Sequence, residues 1–370
     1  MTGLHDDQDL HVNRGNPVDS VRAGEELPID KLLSYLSNHL PNISPPLIVK
    51  QYAAGFSNLT YLLRAGDREL VLRRPPIGAK IKTAHDMGRE YRILSHLYPV
   101  YKKVPCPLLF CEDDSILGAP FYLMERVNGI ILRAKPPKDI QLTPETMRGL
   151  SQTFIENLAE IHEVDYGSAG LGDLGVPQGY VKRQVEGWTK RYLNARTDEV
   201  PSIERLSDWL LQHLPPDSER SALIHNDYKY DNLVLSPDNL TEVVAVLDWE
   251  MATIGDPLMD FGTSLGYWVE KTDPDEWQRY GFGLTSLPGS FTRNELLGHY
   301  TKRSGRNIDN PVFYYAYGLL KIAVICQQIY FRYKKGLTRD PRFAQLGNLV
   351  EACGGTAQRA IELKRIDSLA

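Results

Sequence analysis

The residues best able to do chemistry are concentrated in Ile224-His225-Asn226-Asp227-Tyr228-Lys229-Tyr230-Asp231-Asn232-Leu233 and, a short way on, Val246-Leu247-Asp248-Trp249-Glu250. Aliphatic and β-branched residues flank both stretches, so Asp227, Asn232 and Asp248 are expected on loops that a rigid sheet presents. Phosphoryl transfer calls for such a set: a carboxylate to receive the proton of an acceptor hydroxyl, and oxygen ligands to hold Mg²⁺ against nucleotide phosphates. Asp227 suits the first task, and Asn232 and Asp248 suit the second. Lys229, two residues past Asp227, brings an ammonium able to neutralise charge on a transferring phosphoryl group. A polar hairpin between buried strands would account for single residues of this set, but not for their order and flanking strands together.

The spacing from His225 through Asp227 to Asn232 matches the H-x-D-x-x-x-x-N catalytic loop of kinases, with Asp248 opening the loop after the next strand. These residues, with Leu247-Asp248-Trp249-Glu250 and Gly255-Asp256-Pro257-Leu258-Met259-Asp260, resemble the aminoglycoside phosphotransferase and choline kinase-like superfamily. In particular they are similar to the kinase-like domain that some acyl-CoA dehydrogenases carry at their N-terminus. Val21-Arg22-Ala23-Gly24-Glu25-Glu26-Leu27, Ala84-His85-Asp86-Met87-Gly88-Arg89-Glu90-Tyr91 and Gly170-Leu171-Gly172-Asp173 extend the likeness over nearly the whole chain. It implies an α+β, bilobal protein kinase-like fold, with a small antiparallel five-stranded N-lobe and a larger, mainly helical C-lobe. It also implies ATP (GTP not excluded) and Mg²⁺ as cofactors, and a small-molecule hydroxyl acceptor.

The elements that must position these groups follow in order. Residues 1–25 are polar and aperiodic and read as a mobile tail, 26–127 as the N-lobe with the nucleotide-binding sheet, and 128–370 as the C-lobe. Ile29, Leu32, Leu33, Leu36 and Leu40 recur at helical spacing before Pro41. Leu47 to Ala53, Leu59 to Arg64 and Glu69 to Arg74 form an antiparallel meander, whose first turn carries Gly55, Ser57 and Asn58 and would fold over phosphates. On the third strand Val71 and Arg73 share a face, with Arg74 on the opposite one. Kinases place an alanine and a lysine at that pair, so the resemblance gives Arg73 the lysine's role, and Arg74 reads as a surface residue beside Pro75. A helix from Lys82 to Tyr98 carries Glu90 within its apolar stripe; a buried carboxylate there needs a cation, and the kinase resemblance makes Arg73 the natural partner, a surface pair with Arg89 or Arg92 being the alternative. Pro107 to Glu112 and Phe121 to Val127 complete the five strands. In kinases the segment equivalent to Glu125, Arg126 and Val127 binds adenine through its backbone.

Beyond residue 130 the reading is helical: Pro144 to His162, Tyr180 to Ala195, Ile203 to Leu214, Arg293 to Arg303, Asn310 to Tyr333 and Pro341 to Lys364. Ala222 to His225, Leu233 to Ser236 and Val243 to Asp248 read as strands. His225 is expected to brace the catalytic loop by hydrogen bonding to backbone. Asp256 is expected to cap the following helix, and Asp260 to act as a cap or brace. Glu250 suits either a metal or a salt bridge. Tyr314, Tyr317, Lys321, Gln328 and Arg332, with Lys334 and Lys335 beyond, read as an aromatic and basic lining for an uncharged or anionic acceptor.

A chain of 370 residues with 42% hydrophobic and 24% charged residues has the composition of an ordinary enzyme of one large domain or two lobes. A net charge of −5 without a long basic run argues against a nucleic acid partner. Cys106, Cys111, Cys326 and Cys353 lack metal-ligand spacing and read as isolated thiols. No secretory signal is legible, and Lys321, Gln327 and Gln328 interrupt the most apolar run, so the expectation is a cytoplasmic protein without a membrane span. The first functional reading is a small-molecule kinase, possible acceptors being a hydroxyacyl-CoA or hydroxy acid rather than an aminoglycoside. The alternative is a nucleotide-binding pseudokinase acting as a regulatory module. Against it, the base and both metal ligands are present, and only Arg73 is irregular. The absence of an Ala-Pro-Glu segment after Asp248 weakens a protein-kinase reading.

Overall fold

Short aliphatic runs separated by turn residues pair with one another as strands, and in the first third of this chain they build an antiparallel sheet. A computed structural model describes residues 16–53, 58–76, 86–281 and 283–370. The chain divides into two compact units, Met1–Ile131 with Asn232–Glu250, and Leu132–Asp231 with Met251–Ala370.

The first unit contains β1 (Val18–Asp19), α1 (Ile29–His39), β2 (Leu47–Tyr52), β3 (Leu59–Ala65), β4 (Arg68–Arg74), α2 (Met87–Leu97), β5 (Pro107–Cys111), α3 (Asp114–Leu117) and β6 (Phe121–Glu125). The sheet order is β1-β2-β3-β4-β6-β5. The five expected strands are present, and β1 adds a sixth from the stretch expected as tail, pairing Asp19 with Gln51. Backbone pairing at a sheet edge leaves no side-chain period to read. Leu32 and Leu36 of α1 pack with Leu63, Leu70, Leu72, Phe121 and Leu123 in one apolar cluster, and α2 packs against β5 and β6. The described part of the helix expected from Lys82 is α2, capped by Asp86, whose side chain accepts from the Arg89 amide. A hairpin of β8 (Leu233–Leu235) and β9 (Val243–Val246) belongs to this unit. Ile130 and Leu235 exchange both backbone hydrogen bonds, at 2.9 and 2.8 Å, and tie it in place.

The second unit holds α4 (Pro144–His162), α5 (Tyr180–Ala195), α6 (Pro201–Gln212), α7 (Pro257–Gly266), α8 (Asp275–Gln278), α9 (Arg293–Ser304), α10 (Pro311–Lys334) and α11 (Leu346–Leu363). Its two short strands, β7 (Ala222–Ile224) and the unanticipated β10 (Thr253–Gly255), pair antiparallel. α10 packs against α5, α6, α7 and α11, which corrects the sequence reading of its second side. Tyr314, Tyr317 and Lys321 are buried, not an exposed acceptor lining, and only Gln328, Arg332, Lys334 and Lys335 remain exposed. By length and composition α10 would pass for a membrane span, but 83% of its most apolar window is buried inside the protein, as a central core helix would be.

The α7–α10 contact depends on two glycines. A Cβ on Gly262 would lie 2.2 Å from the Tyr314 carbonyl oxygen, and one on Gly318 would lie 2.1 Å from the Gly262 oxygen. The helix backbones therefore touch, and any side chain must push them apart. Gly318→Ala is expected to lower stability by about 1–3 kcal/mol, the usual cost of overpacking. Urea denaturation followed by tryptophan fluorescence checks this, with a lower midpoint as the expected outcome.

Candidate active site

The stretch that carries Asp227 leaves β7 at Ile224 and enters a loop whose backbone is held by a buried carboxylate. Asp260, on α7 and fully buried, accepts the His225 amide at Oδ2 (2.7 Å) and the Asn226 amide at Oδ1 (2.8 Å). His162 completes the set: its Nε2 lies 3.2 Å from Asp260 Oδ2, and its Nδ1 lies 2.7 Å from the Tyr300 hydroxyl. With a carboxylate on one side, Nε2–H donates and Nδ1 accepts from Tyr300. Burial works to raise the Asp260 carboxyl, but the hydrogen bond from His162 and the loop amides hold it below the usual carboxylate range. Burial pushes the His162 imidazole down, so it stays neutral around pH 7.

On this base the loop presents Asp227. Its amide donates to His225 Nδ1 at 3.2 Å, the brace expected of that histidine. Both carboxylate oxygens face Lys229 Nζ, at 3.0 and 2.9 Å. The ammonium also lies 4.8 Å from the Tyr267 ring centroid. Burial opposes the charge on Lys229, but Tyr267 and Asp227 outweigh it and hold the group protonated, well above the ordinary lysine value. Tyr228 anchors the next residue inward: its hydroxyl donates to the Phe154 carbonyl (2.9 Å), and its own carbonyl accepts from Ser264 (2.9 Å).

The first unit assembles a second set of charges. Arg73 Nη1 donates to Glu90 Oε1, and Nη2 lies 3.3 Å from Asp248 Oδ1 and 3.6 Å from Glu250 Oε2. Burial works against the guanidinium charge, but Glu90 and the carboxylates behind it hold its pKa above the ordinary arginine value. Glu90 is nearly inaccessible, and burial pushes it upward against the pull of Arg73. Arg89 Nη1 donates to the Glu250 carbonyl at 2.7 Å. Asn58 Nδ2 donates to Glu250 Oε2 at 2.8 Å. The Leu247 amide donates to the Asn232 carbonyl at 2.8 Å, joining the segments that carry Asn232 and Asp248. Asp248 adopts a left-handed backbone (φ 66°) and its side chain is 35% exposed. A carboxamide and a carboxylate on adjoining segments are hard oxygen donors of the kind Mg²⁺ takes, so the residues present fit that ion.

The expected Arg73–Glu90 pair is therefore formed, and Val71 lies on the same strand, buried beside it in register. Arg74 departs from its reading. It is buried, with Nη1 donating to the Leu117 carbonyl at 2.8 Å, because the face it shares with Leu70 and Leu72 is the core side of the sheet. Glu125 ends β6 with its amide donating to the Cys106 carbonyl (2.8 Å), and Val127 follows. Gly55 and Ser57 lie outside the described residues. Asp256 caps α7 as expected, accepting from the Leu258 amide at 2.8 Å. The sequence reading missed the two-amide grip of Asp260 on the loop that carries Asp227. A carboxylate within Leu258-Met259-Asp260-Phe261 was the available signal, since an acid in a buried apolar turn needs donors.

The chain matches the phosphotransferase enzyme family over residues 48–294. It is 38% identical over 335 residues to acyl-CoA dehydrogenase family member 10 of Mus musculus, covering 90% of this chain and 31% of that protein. It is 35% identical to acyl-CoA dehydrogenase family member 11 of Homo sapiens, covering 88% of this chain and 42% of that protein. It thus spans well under half the length of these curated relatives. Among solved structures it is similar to a candidate aminoglycoside phosphotransferase of Ralstonia eutropha, at TM-score 0.75 and 31% identity over 90% of this chain and 99% of the other. A choline kinase of Cryptosporidium parvum shares the fold at TM-score 0.59 and 13% identity, covering 92% of this chain and 98% of that one.

Two measurements test these settings. Removing one member of a buried ion pair leaves the other charge without its partner, at a cost of about 3–5 kcal/mol. Arg73→Met, which strands the buried Glu90, is therefore expected to lower the melting temperature sharply, and Arg73→Met/Glu90→Leu to recover part of the loss in a double-mutant cycle. For His162 the folded pKa is depressed below its ordinary 6.5, so its contribution is present above that value and lost as pH falls. Stability should decline from pH 7 towards pH 5 as the unfolded imidazole takes a proton that the folded one refuses. In His162→Gln, denaturant titrations over the same range should show a shallower decline.

Proposed function

Because the chain belongs to the phosphotransferase enzyme family, we propose that it moves the γ-phosphoryl group of ATP, with Mg²⁺, to a hydroxyl of a small molecule. The observation that carries this reading is the setting of Asp227: amide on His225, carboxylate on Lys229, and a loop backbone bound to a buried carboxylate. A carboxylate so held is poised to receive a hydroxyl proton, and Lys229 offers positive charge at the same place. Asn232 and Asp248 would hold the metal, which, when bound with the nucleotide, neutralises phosphate charge and orients the transferred group. Arg73, fixed by Glu90, would supply a second cation toward the phosphates.

For the acceptor we favour a hydroxyacyl-CoA thioester or a hydroxy acid over an aminoglycoside. The names of the curated relatives support this, since a phosphotransferase segment within proteins named for acyl-CoA dehydrogenation suits a hydroxylated acyl thioester. The buried face of α10 lends this choice no further support.

The test incubates the protein with ATP or GTP, Mg²⁺ and, separately, hydroxyacyl-CoA thioesters, hydroxy acids and kanamycin-type sugars, followed by phosphorus NMR. A phosphorylated thioester or hydroxy acid is expected. Asp227→Asn should keep nucleotide binding and lose turnover by about a hundred-fold or more, whereas Asp248→Ala should lose Mg²⁺-dependent nucleotide binding. Phosphorylated sugar without thioester would reverse the acceptor, and nucleotide binding with no transfer to any hydroxyl would favour a regulatory module.

A further inference from the structure

Lys321 lies in the middle of α10, 2% exposed, in a long and largely apolar helix. An ammonium in such a place is costly unless its protons are used. No carboxylate among the described residues lies within ion-pair distance of it. Its Nζ instead donates to the Asn226 carbonyl at 2.5 Å, with Asn226 Oδ1 at 3.5 Å. The Trp188 ring centroid is 5.7 Å away.

The Asn226 carbonyl belongs to the peptide group that leads into Asp227, and the N–H of that same group donates to His225 Nδ1. One peptide plane is thus gripped at both ends, by a cation at the oxygen and an imidazole at the nitrogen. Its orientation follows a left-handed turn of the backbone, because Asn226 has φ 67°, a conformation that carries some cost even though asparagine tolerates it better than most residues. Further bonds hold Asn226: Nδ2 donates to the Met251 carbonyl (3.1 Å), and Oδ1 accepts from the Tyr180 hydroxyl (3.4 Å). Rotation of the gripped plane would swing the Cα of Asp227 and redirect its carboxylate.

We propose that Lys321 is a positioning residue for phosphoryl transfer, its ammonium locking the Asn226–Asp227 peptide so that the Asp227 carboxylate is aimed at the acceptor hydroxyl. This rests on the reading of Asp227 as the base. Burial lowers the Lys321 pKa to about 8, against the opposing pull of Asp260 and Asp227 and with the help of Lys229 and Arg191. These are the charges that reach it from α7, the loop and α5. A neutral amine still donates, but a charge-assisted bond is roughly twice as strong as a neutral one, so the lock loosens as pH rises through that value.

The experiment compares wild type, Lys321→Met and Lys321→Gln. Methionine removes the donor and keeps the volume, whereas glutamine restores an uncharged donor. At pH 7, kcat of Lys321→Met should fall by about ten- to a hundred-fold, the scale set by small misplacements of a reacting group. KM for nucleotide should stay within about twofold, since the nucleotide-side residues Arg73, Asn232 and Asp248 are untouched. Lys321→Gln should recover part of kcat. The wild-type kcat should decline above about pH 8, and this limb should be missing in both variants. Hydrogen exchange of the Asp227 amide should be faster in Lys321→Met than in wild type. Unchanged kcat and exchange in Lys321→Met overturn the proposal, as does a parallel loss of kcat and nucleotide affinity that glutamine does not relieve. If Lys321→Met fails to fold, Lys321→Gln is judged on the same pH limb and exchange. If wild type phosphorylates no hydroxyl, the functional reading falls, and the exchange rates alone decide whether Lys321 locks the loop.

Discussion

An ionised carboxylate with no access to water must be surrounded by donors, and Asp260 imposes that demand on the second unit. It lies in the first turn of α7, where the helix N-terminus favours negative charge. It takes consecutive amides from His225 and Asn226 and the imidazole N–H of His162. A shift of α7 by the length of one hydrogen bond would strand the charge. The end of β7, the loop that carries Asp227, α4 through His162 and α9 through Tyr300 are thereby fixed to a single point. The same helix carries Gly262, whose contact with Gly318 brings α10 close enough for Lys321 to reach the loop. Asp227 is therefore held from several directions, although its own carboxylate is engaged mainly by Lys229.

The first unit works by a different balance. One guanidinium, Arg73, faces Glu90, Asp248 and Glu250. Asp248 and Glu250 set carboxylate oxygens beside this guanidinium, and under the proposed function these are hard donors against which a divalent ion such as Mg²⁺ would be held. An arginine suits this place because its flat fork can pair with Glu90 through one amino group while another faces Asp248. A lysine, a single point charge, would have to choose. Asn58 and Arg89, both donating to Glu250, restrain the far side of the cluster.

Backbone strain marks the same two places. Asn226 and Asp248 both have positive φ, and both are residue types that tolerate the left-handed region better than most. Each is at or beside a group proposed to act on a phosphoryl group. Conformations that cost energy persist where surrounding bonds over-determine them, as the contacts of Asn226 do.

Much of this was legible in the residue order alone. The longer strands and helices follow from aliphatic runs, helical periodicity and caps and lie close to where that pattern placed them, whereas the short α3, α8 and β10 were not read from it. The spacing of His225, Asp227, Asn232 and Asp248 is local, so chain order alone declared it. The Arg73–Glu90 pair could be foreseen because Glu90, within an apolar stripe, needs a cation and the kinase resemblance sets Arg73 against it. Tertiary packing decided what local pattern cannot carry. β1 is held by backbone bonds that any sequence could make. Arg74 is buried because its face of β4 meets the core. Tyr314, Tyr317 and Lys321 turned inward because α10 is enclosed by α5, α6, α7 and α11, whereas a period of 3.6 residues predicts two sides and cannot count the neighbours. Which buried charge meets which donor is settled by distances between residues far apart in the chain, such as Asp260 to His225 or Lys321 to Asn226, and only the folded backbone sets those distances.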